Sequence, residues 1–189
     1  MGCDIHLFVE KRTEGNWECL NEIENDEGTL STPYEKEIYH ERNYSLFSLL
    51  AGVRNSAGVK PIAEPRGLPE DVSEIVKKIS DQWNGDGHSH SYYTLKELLD
   101  FSLNSMVAEK GFMPKEKWVA FQESLKTSTP DYNLRFPFAG WANSDLGWEQ
   151  HDWKVPANEI SSTFFVGVLN KLKQMGSPED VRIVFWFDN

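Results

Sequence analysis

The segment Val181–Phe187, which reads VRIVFWF, is the strongest β-strand signal in the sequence. It consists almost entirely of β-branched and aromatic residues, which favour extended backbone. Near the other end, residues 5–11 (IHLFVEK) place Ile5, Leu7 and Val9 at alternate positions, the period of a strand with one buried face. The helices between the two strands need a common surface on which to bury their apolar stripes. We therefore expect the two strands to be neighbours in one sheet.

Between these strands the sequence has mostly helical patterns. Apolar residues recur at helical spacing, and the clearest start signals are Pro69, followed by two acidic residues, and the Thr94–Glu97 capping box. The helical stripes begin at Leu46, Val72, Leu95, Trp118 and Ile160. Strands at both ends with helices between them predict an α+β fold, in which several helices and long loops cover a small sheet containing the N- and C-terminal strands.

The chain length of 189 residues fits one domain, residues 1–189. Residues 22–41 are rich in Glu, Asp and Gly, and we expect an acidic loop there. Residues 132–156 contain several Trp and Phe residues without helical spacing, and we expect a long aromatic loop.

The charge balance limits the classes of partner. Lys and Arg number 19 and Asp and Glu number 30, which gives a net charge of −11 and disfavours binding to extended nucleic acid. No apolar run reaches the roughly 20 residues that span a bilayer, so no membrane partner is predicted. The first residues lack a secretory signal and the two cysteines imply no disulfide framework, so we expect a cytoplasmic protein.

Asp4 and His6 are the first candidate site. In a strand they point to the same face, where they could share a divalent metal, or the carboxylate could orient the imidazole as a base. Asp188 would join them if the two terminal strands are neighbours. The alternative is an ordinary polar face of a strand.

A second candidate site lies in the glycine-rich segment NGDGHSHS, residues 84–91. His88 and His90 are one residue apart, so extended backbone presents both on one side, and Asp86 supplies a nearby carboxylate. Neutral imidazoles and a carboxylate suit zinc or manganese. We therefore predict one metal site formed by the Asp4–His6 pair and the His88–His90 pair, with His88 and Asp86 as catalytic residues. The alternative is a polar turn. The predicted metal ligands are Asp4, His6, His88 and His90.

Arg42, Arg54 and Arg66 form a candidate anion site. Three of the six arginines fall in this window, and guanidinium groups bind phosphate in a bidentate manner. Trp141, in the aromatic loop, is a candidate for stacking on a ligand base. The alternatives are that the arginines pair with the surplus of acidic residues and that the aromatic loop is anchored on the core.

Several blocks of the sequence resemble a family of bacteriophage and prophage proteins for which no activity is assigned. They are residues 1–6 (MGCDIH), 42–47, 62–73, 87–91 and 185–189, spread over nearly the whole chain. The resemblance implies the cytoplasm of an infected bacterium as the setting, and it supplies no mechanism.

Together these features predict a phage protein that acts on a small phosphate-bearing ligand, by metal-dependent hydrolysis of a nucleotide. No phosphate-binding loop or other nucleotide-cofactor motif is present. The alternative is a non-enzymatic binder that sequesters a bacterial immune nucleotide or inhibits a host defence protein.

Overall fold

A computed structural model describes residues 2–140 and 147–189. Its helices and strands form an α+β fold, as predicted. The strands are β1 Ile5–Thr13, β2 Asn16–Cys19, β3 Glu24–Asp26, β4 Thr29–Ser31, β5 His88–Thr94, β6 Met106–Pro114, β7 Trp148–Pro156 and β8 Val181–Phe187. The α-helices are α1 Tyr44–Ala51, α2 Glu74–Gln82, α3 Leu95–Asn104, α4 Lys115–Leu125, α5 Ala157–Ile160 and α6 Leu169–Met175.

The main sheet has four antiparallel strands in the order β2-β1-β8-β5. β1 and β8 pair from Ile5 opposite Phe187 to Lys11 opposite Val181. The prediction that the two terminal strands are neighbours is therefore confirmed. All seven residues of β8 are buried, as expected for a strand with a neighbour on each side and helices on both faces.

The two faces of this sheet pack against different helices. Ile5 and Phe185 belong to the larger core, which includes apolar residues of α1, α3 and α6. Phe8, Val184 and Trp186 point to the opposite face and pack with residues of α2. Period-two alternation along β1 and β8 thus assigns each side chain to one of two apolar layers.

The prediction that residues 22–41 are only a loop is wrong. They contain the β3–β4 hairpin and a short 3₁₀-helix at Tyr34–Lys36. Gln82, at the end of α2, accepts from the backbone N–H of Leu30 at 3.0 Å and donates to its carbonyl at 3.1 Å. The hairpin is thus held by a tertiary contact that its exposed, polar sequence does not indicate.

The aromatic loop predicted at residues 132–156 is also wrong in its second half, because β7 pairs with β6 along nine residues. In β6, Val107, Glu109, Gly111 and Met113 alternate on the buried side. A glycine and a charged residue at buried positions hide this period from the sequence. Glu109 is buried because Arg135 lies 3.1 Å and the Trp153 indole nitrogen 2.7 Å from its Oε2.

Two helix boundaries differ from the prediction. The second helix begins at Glu74, with Ser73 as its N-cap residue, instead of at Pro69. The long C-terminal helix is interrupted after Ile160, and a π-helical segment at Thr163–Val168 joins the short α5 region to α6. The buried residues of these segments, Phe164, Phe165, Val168, Leu169 and Leu172, still recur at helical spacing, so the stripe alone does not reveal the interruption.

A buried ion pair joins the sheet to the start of α2. Glu10 and Arg182 are cross-strand partners, with Arg182 Nε 2.7 Å from Glu10 Oε2. The other oxygen of Glu10 accepts the backbone N–H of Ser73 at 2.8 Å. Arg182 also contacts Asp71 at 2.7 Å, and its guanidinium carbon lies 3.9 Å from the ring centre of Trp17. Both charges of the pair are thereby compensated inside the core.

Candidate functional site

A pocket of about 480 Å³ opens beside the His6 end of β1. It lies between the C-terminal end of α2 and the β3–β4 hairpin, and its volume is typical of a small-molecule site. Phe8, Leu30 and Ile79 supply apolar wall. The polar and aromatic lining residues include His6, Thr32, Glu37, Gln82, Trp83 and Asp86.

His6 is held in the pocket wall by aromatic and ionic contacts. It stands opposite Trp186 in the sheet, on the face covered by α2. Its ring centre lies 4.0 Å from that of Trp83 and 5.9 Å from that of Trp186. Its Nε2 lies 3.1 Å from Asp188 Oδ2, and both side chains are 21% exposed. The expectation that Asp188 joins His6 is confirmed.

Asp188 is itself fixed in position. Its Oδ1 accepts the backbone N–H of Asp4 at 3.0 Å, and its own N–H donates to the Asp4 carbonyl at 3.2 Å. An acceptor carboxylate at Nε2 favours the tautomer with the proton on Nε2, which leaves Nδ1 as a base. In the part of the chain that the structure describes, Nδ1 of His6 has no hydrogen-bond partner. An imidazole oriented by a carboxylate is equipped for general-base chemistry.

Asp4, a predicted metal ligand, is engaged by Arg42. The guanidinium donates from Nε and Nη2 to the two carboxylate oxygens, at 2.8 and 2.6 Å. This bidentate hydrogen bonding is the main cause that lowers the pKa of Asp4. Asp4 thus supports His6 through its backbone contacts with Asp188, while its side chain neutralises an arginine.

A shift of strand register separates the two histidines of the second candidate site. His88 pairs with Phe187 but Ser91 pairs with Phe185, so the β5 strand has one more residue than its partner over this interval. Ser89, between the histidines, has a φ of 53°. An extra residue moves the following side chain to the other face of the sheet. The same-side placement predicted for His88 and His90 is therefore wrong.

The two histidines consequently have different surroundings. His88 stacks on Phe187, with ring centres 6.1 Å apart, and is not among the residues that line the pocket. Its Nδ1 contacts Ser89 Oγ at 3.0 Å, and its buried Nε2 has no hydrogen-bond partner among the described residues. His90 stacks on Trp186, at 5.3 Å, and its Nε2 contacts Ser80 Oγ at 2.9 Å. Burial, with a smaller contribution from His88, lowers the pKa of His90.

Trp186 lies between His6 and His90 on the same face of the sheet, and its ring contacts both imidazoles. Of the four predicted ligands, the fold therefore places His6 and His90 on either side of Trp186, while the Asp4 carboxylate is bound by Arg42 and His88 stacks on Phe187. Among residues 2–140 and 147–189, no group of three or more His, Cys, Asp or Glu side chains is arranged to hold a metal ion. The zinc or manganese site stays a prediction. Asp86, the other predicted catalytic residue, lines the pocket with His6.

The three arginines of the predicted anion site do not form one cluster. Arg42 binds Asp4, and Arg54 donates to the carbonyl of Gly2 at 3.0 Å and to Asn189 Oδ1 at 3.2 Å. Both therefore border the N-terminal segment beside His6. Arg66 pairs with Glu97 at 2.8 Å and donates to the carbonyl of Tyr92. Tyr92 is level with Phe8 in the sheet, four residue positions or roughly 13 Å from Asp4. Trp141, the predicted stacking residue, lies outside the described residues.

Two pocket residues are not singled out by the sequence analysis. Trp83 belongs to the predicted apolar stripe of the second helix, but it caps the end of α2 and turns its ring toward His6. Glu37 lies in the segment predicted to be a solvated loop, yet burial raises its pKa. The surroundings of Glu37 include the β3–β4 hairpin and α2, and α2 is distant in sequence, so the local sequence does not predict the burial of Glu37.

Comparison of the chain with protein-family models, with curated proteins and with solved structures gives no significant match. The resemblance to phage and prophage proteins, and the cytoplasm of an infected bacterium as the setting, stay predictions. In the described residues, no helix has the length and apolar character required to cross a membrane.

Proposed function

We propose that this protein binds a nucleotide-sized ligand in the pocket beside β1 and hydrolyses it, with His6 as the general base. The observation that carries the proposal is the His6–Asp188 pair in the wall of a pocket of about 480 Å³. An oriented imidazole in a concave, partly apolar site is the arrangement that hydrolytic enzymes use to activate water.

In the proposed reaction, Nδ1 of His6 accepts a proton from water as the water oxygen attacks the phosphorus atom of a phosphoester. The new P–O bond forms as the ester P–O bond breaks, and the imidazolium then returns its proton to the leaving oxygen. Asp188 stabilises the imidazolium while the proton resides there. Arg42 is our candidate for binding the phosphate, through the part of its half-exposed guanidinium that Asp4 does not engage.

A second candidate is sequestration of a nucleotide without turnover. Among the described residues that line the pocket there is no Lys or Arg. Charge that develops on phosphoryl oxygens in a transition state is normally stabilised by such groups or by a metal, so a lining of this kind favours binding over catalysis. Both candidate functions involve the same nucleotide ligand, which is cleaved in hydrolysis and stays intact in sequestration.

The test is incubation of the purified protein with a panel of linear and cyclic nucleotides, followed by denaturation and identification of what is recovered. Hydrolysed nucleotide supports the proposal, and intact nucleotide released from a tight complex supports sequestration. The His6→Ala variant should lower the hydrolysis rate about 10²- to 10⁴-fold, the usual contribution of a general base. Asp188→Asn should lower the rate with little change in ligand affinity.

Two comparisons sharpen this test. The His88→Ala variant separates the structural proposal from the sequence prediction, because His88 is not among the residues that line the pocket. Loss of turnover in His88→Ala with full turnover in His6→Ala would contradict the role given to His6. The same assays with and without a chelator test the predicted metal, and neither binding nor conversion of any nucleotide would overturn both candidate functions.

A further inference from the structure

The charged side chains of the pocket beside β1 include two carboxylates and, among the described residues, no Lys or Arg. Glu37 and Asp86 contribute carboxylates, and the buried Thr32 Oγ1 has no hydrogen-bond partner among the described residues. The amide of Gln82 is already used in both directions by the backbone of Leu30. A ligand inside the pocket therefore meets two carboxylates, which only accept hydrogen bonds when ionised, and its positively polarised N–H groups are favoured there.

Glu37 is a partly buried carboxylate of this pocket with only a long contact to a charged group. Its side chain is 30% exposed, and its nearest charged contact is His40 Nδ1 at 3.9 Å, beyond hydrogen-bond distance. Among the described residues no hydrogen bond to the Glu37 carboxylate is found, which is unfavourable for a partly buried charge, and burial raises the pKa of Glu37. Two adjacent N–H groups on a ligand would satisfy both of its oxygens.

The aromatic wall defines the shape of the ligand. Trp83 and His6 lie 4.0 Å apart between ring centres, and both line the pocket. Apolar side chains of Phe8 and Ile79 continue that lining. Aromatic faces of this kind bind flat rings by stacking and do not by themselves distinguish one base from another.

We propose that the pocket selects a planar base bearing an exocyclic amino group, an aminated nucleobase, and that Glu37 accepts its N–H donors while Trp83 stacks on its ring. This inference rests on the proposed function, of which it names the ligand class. A phosphate does not fit inside beside two carboxylates, so the phosphate of a nucleotide lies at the rim, toward Arg42.

The experiment measures nucleoside binding by isothermal titration calorimetry, so that no turnover is needed. Guanosine is compared with inosine, and adenosine with purine riboside, because each pair differs in one amino group. Loss of a hydrogen bond to a charged acceptor corresponds to about a ten- to hundredfold loss of affinity. We expect guanosine and adenosine to bind more tightly than their partners by that factor.

Variants assign the preference to Glu37. Glu37→Gln keeps the shape of the side chain and replaces one acceptor oxygen by a donor, so the preference for the amino-bearing nucleoside should disappear. Glu35→Gln is the matched control, since Glu35 is an exposed carboxylate two residues away that does not line this pocket, and it should keep the full preference. Trp83→Leu should weaken all four nucleosides. Thermal unfolding of each variant verifies that it is folded.

Three results would overturn the inference: no nucleoside binds, the paired nucleosides bind equally, or the preference survives in a folded Glu37→Gln protein. Its failure is distinguishable from that of the proposed hydrolysis. If guanosine is preferred over inosine but no nucleotide is converted, base selection stands and hydrolysis by His6 fails. If nucleotides are converted without any such preference, hydrolysis stands and base selection fails.

Discussion

Replacement of Glu10 by leucine tests the role of the buried ion pair in holding the sheet together. Glu10 is fully buried and Arg182 is 4% exposed, so the substitution leaves a guanidinium in the core. It also removes the acceptor for the backbone N–H of Ser73 at the start of α2. Loss of one partner from a buried pair costs about 3–5 kcal/mol. Arg182 keeps its contact with the more exposed Asp71, so we expect the lower part of that range.

The double variant Glu10→Leu/Arg182→Met distinguishes two causes of destabilisation: the lost contact between the side chains, and the buried guanidinium that is left without its partner. If the cost of Glu10→Leu comes from the uncompensated guanidinium, removal of that guanidinium restores most of the stability. We expect the double variant to be destabilised by at least 2 kcal/mol less than the sum of the two single variants, as is typical of strongly coupled pairs.

Urea denaturation followed by circular dichroism measures these free energies of unfolding. Arg12→Ala is the control, because Arg12 pairs with Asp180 at the same 2.7 Å distance, but at the surface. We expect it to leave the denaturation midpoint almost unchanged, as exposed pairs generally do. A Glu10→Leu protein as stable as wild type, or single-variant effects that simply add in the double variant, would refute this account of the sheet.

Two further predictions concern single residues. Burial lowers the pKa of His90 in the folded protein, so the unfolded chain binds a proton at this residue more readily than the folded chain does. The contribution of neutral His90 to the free energy of unfolding is therefore present above pH about 6.5. It is lost as pH falls through the folded pKa. Urea midpoints between pH 5 and 8 should therefore change less steeply in His90→Gln than in wild type, and identical slopes would contradict the argument. Thr94→Ala removes the capping-box acceptor of the Glu97 N–H, 3.2 Å away, and should lower the free energy of unfolding by about 1 kcal/mol, measured by the same denaturation.

The parts of the fold that the sequence predicts are those governed by local patterns. The strand β1 follows from period-two alternation, β8 follows from its run of β-branched and aromatic residues, and the helix after Thr94 follows from its capping box, which the structure contains in full. The paired strands β6 and β7 escape detection because Glu109 and Gly111 occupy buried positions in β6. Glu109 is acceptable there only because Arg135, 26 residues later in the chain, meets it in space.

The candidate site was predictable only in its first half. Asp4 and His6 sit at the end of a predicted strand, and pairing of the terminal strands is enough to bring Asp188 to His6. The prediction for His88 and His90 is wrong because β5 has an extra residue here. Ser89 has a positive φ, and the two histidines lie on opposite faces of the sheet. Serine at position 89 does not indicate a positive φ, whereas asparagine or glycine at that position would have done so.

The position of β8 between β1 and β5 has a consequence for how the chain folds. The contact between His6 and Asp188 spans 182 residues, so the central strand of the sheet pairs with partners encoded far upstream. Closure of such a long loop is slow, and sheets built from distant segments fold late. Until β8 arrives, β1 and β5 each have an unpaired edge and an exposed apolar face, which invite association with other chains. We therefore expect refolding from urea to be slow and its yield to fall as protein concentration rises.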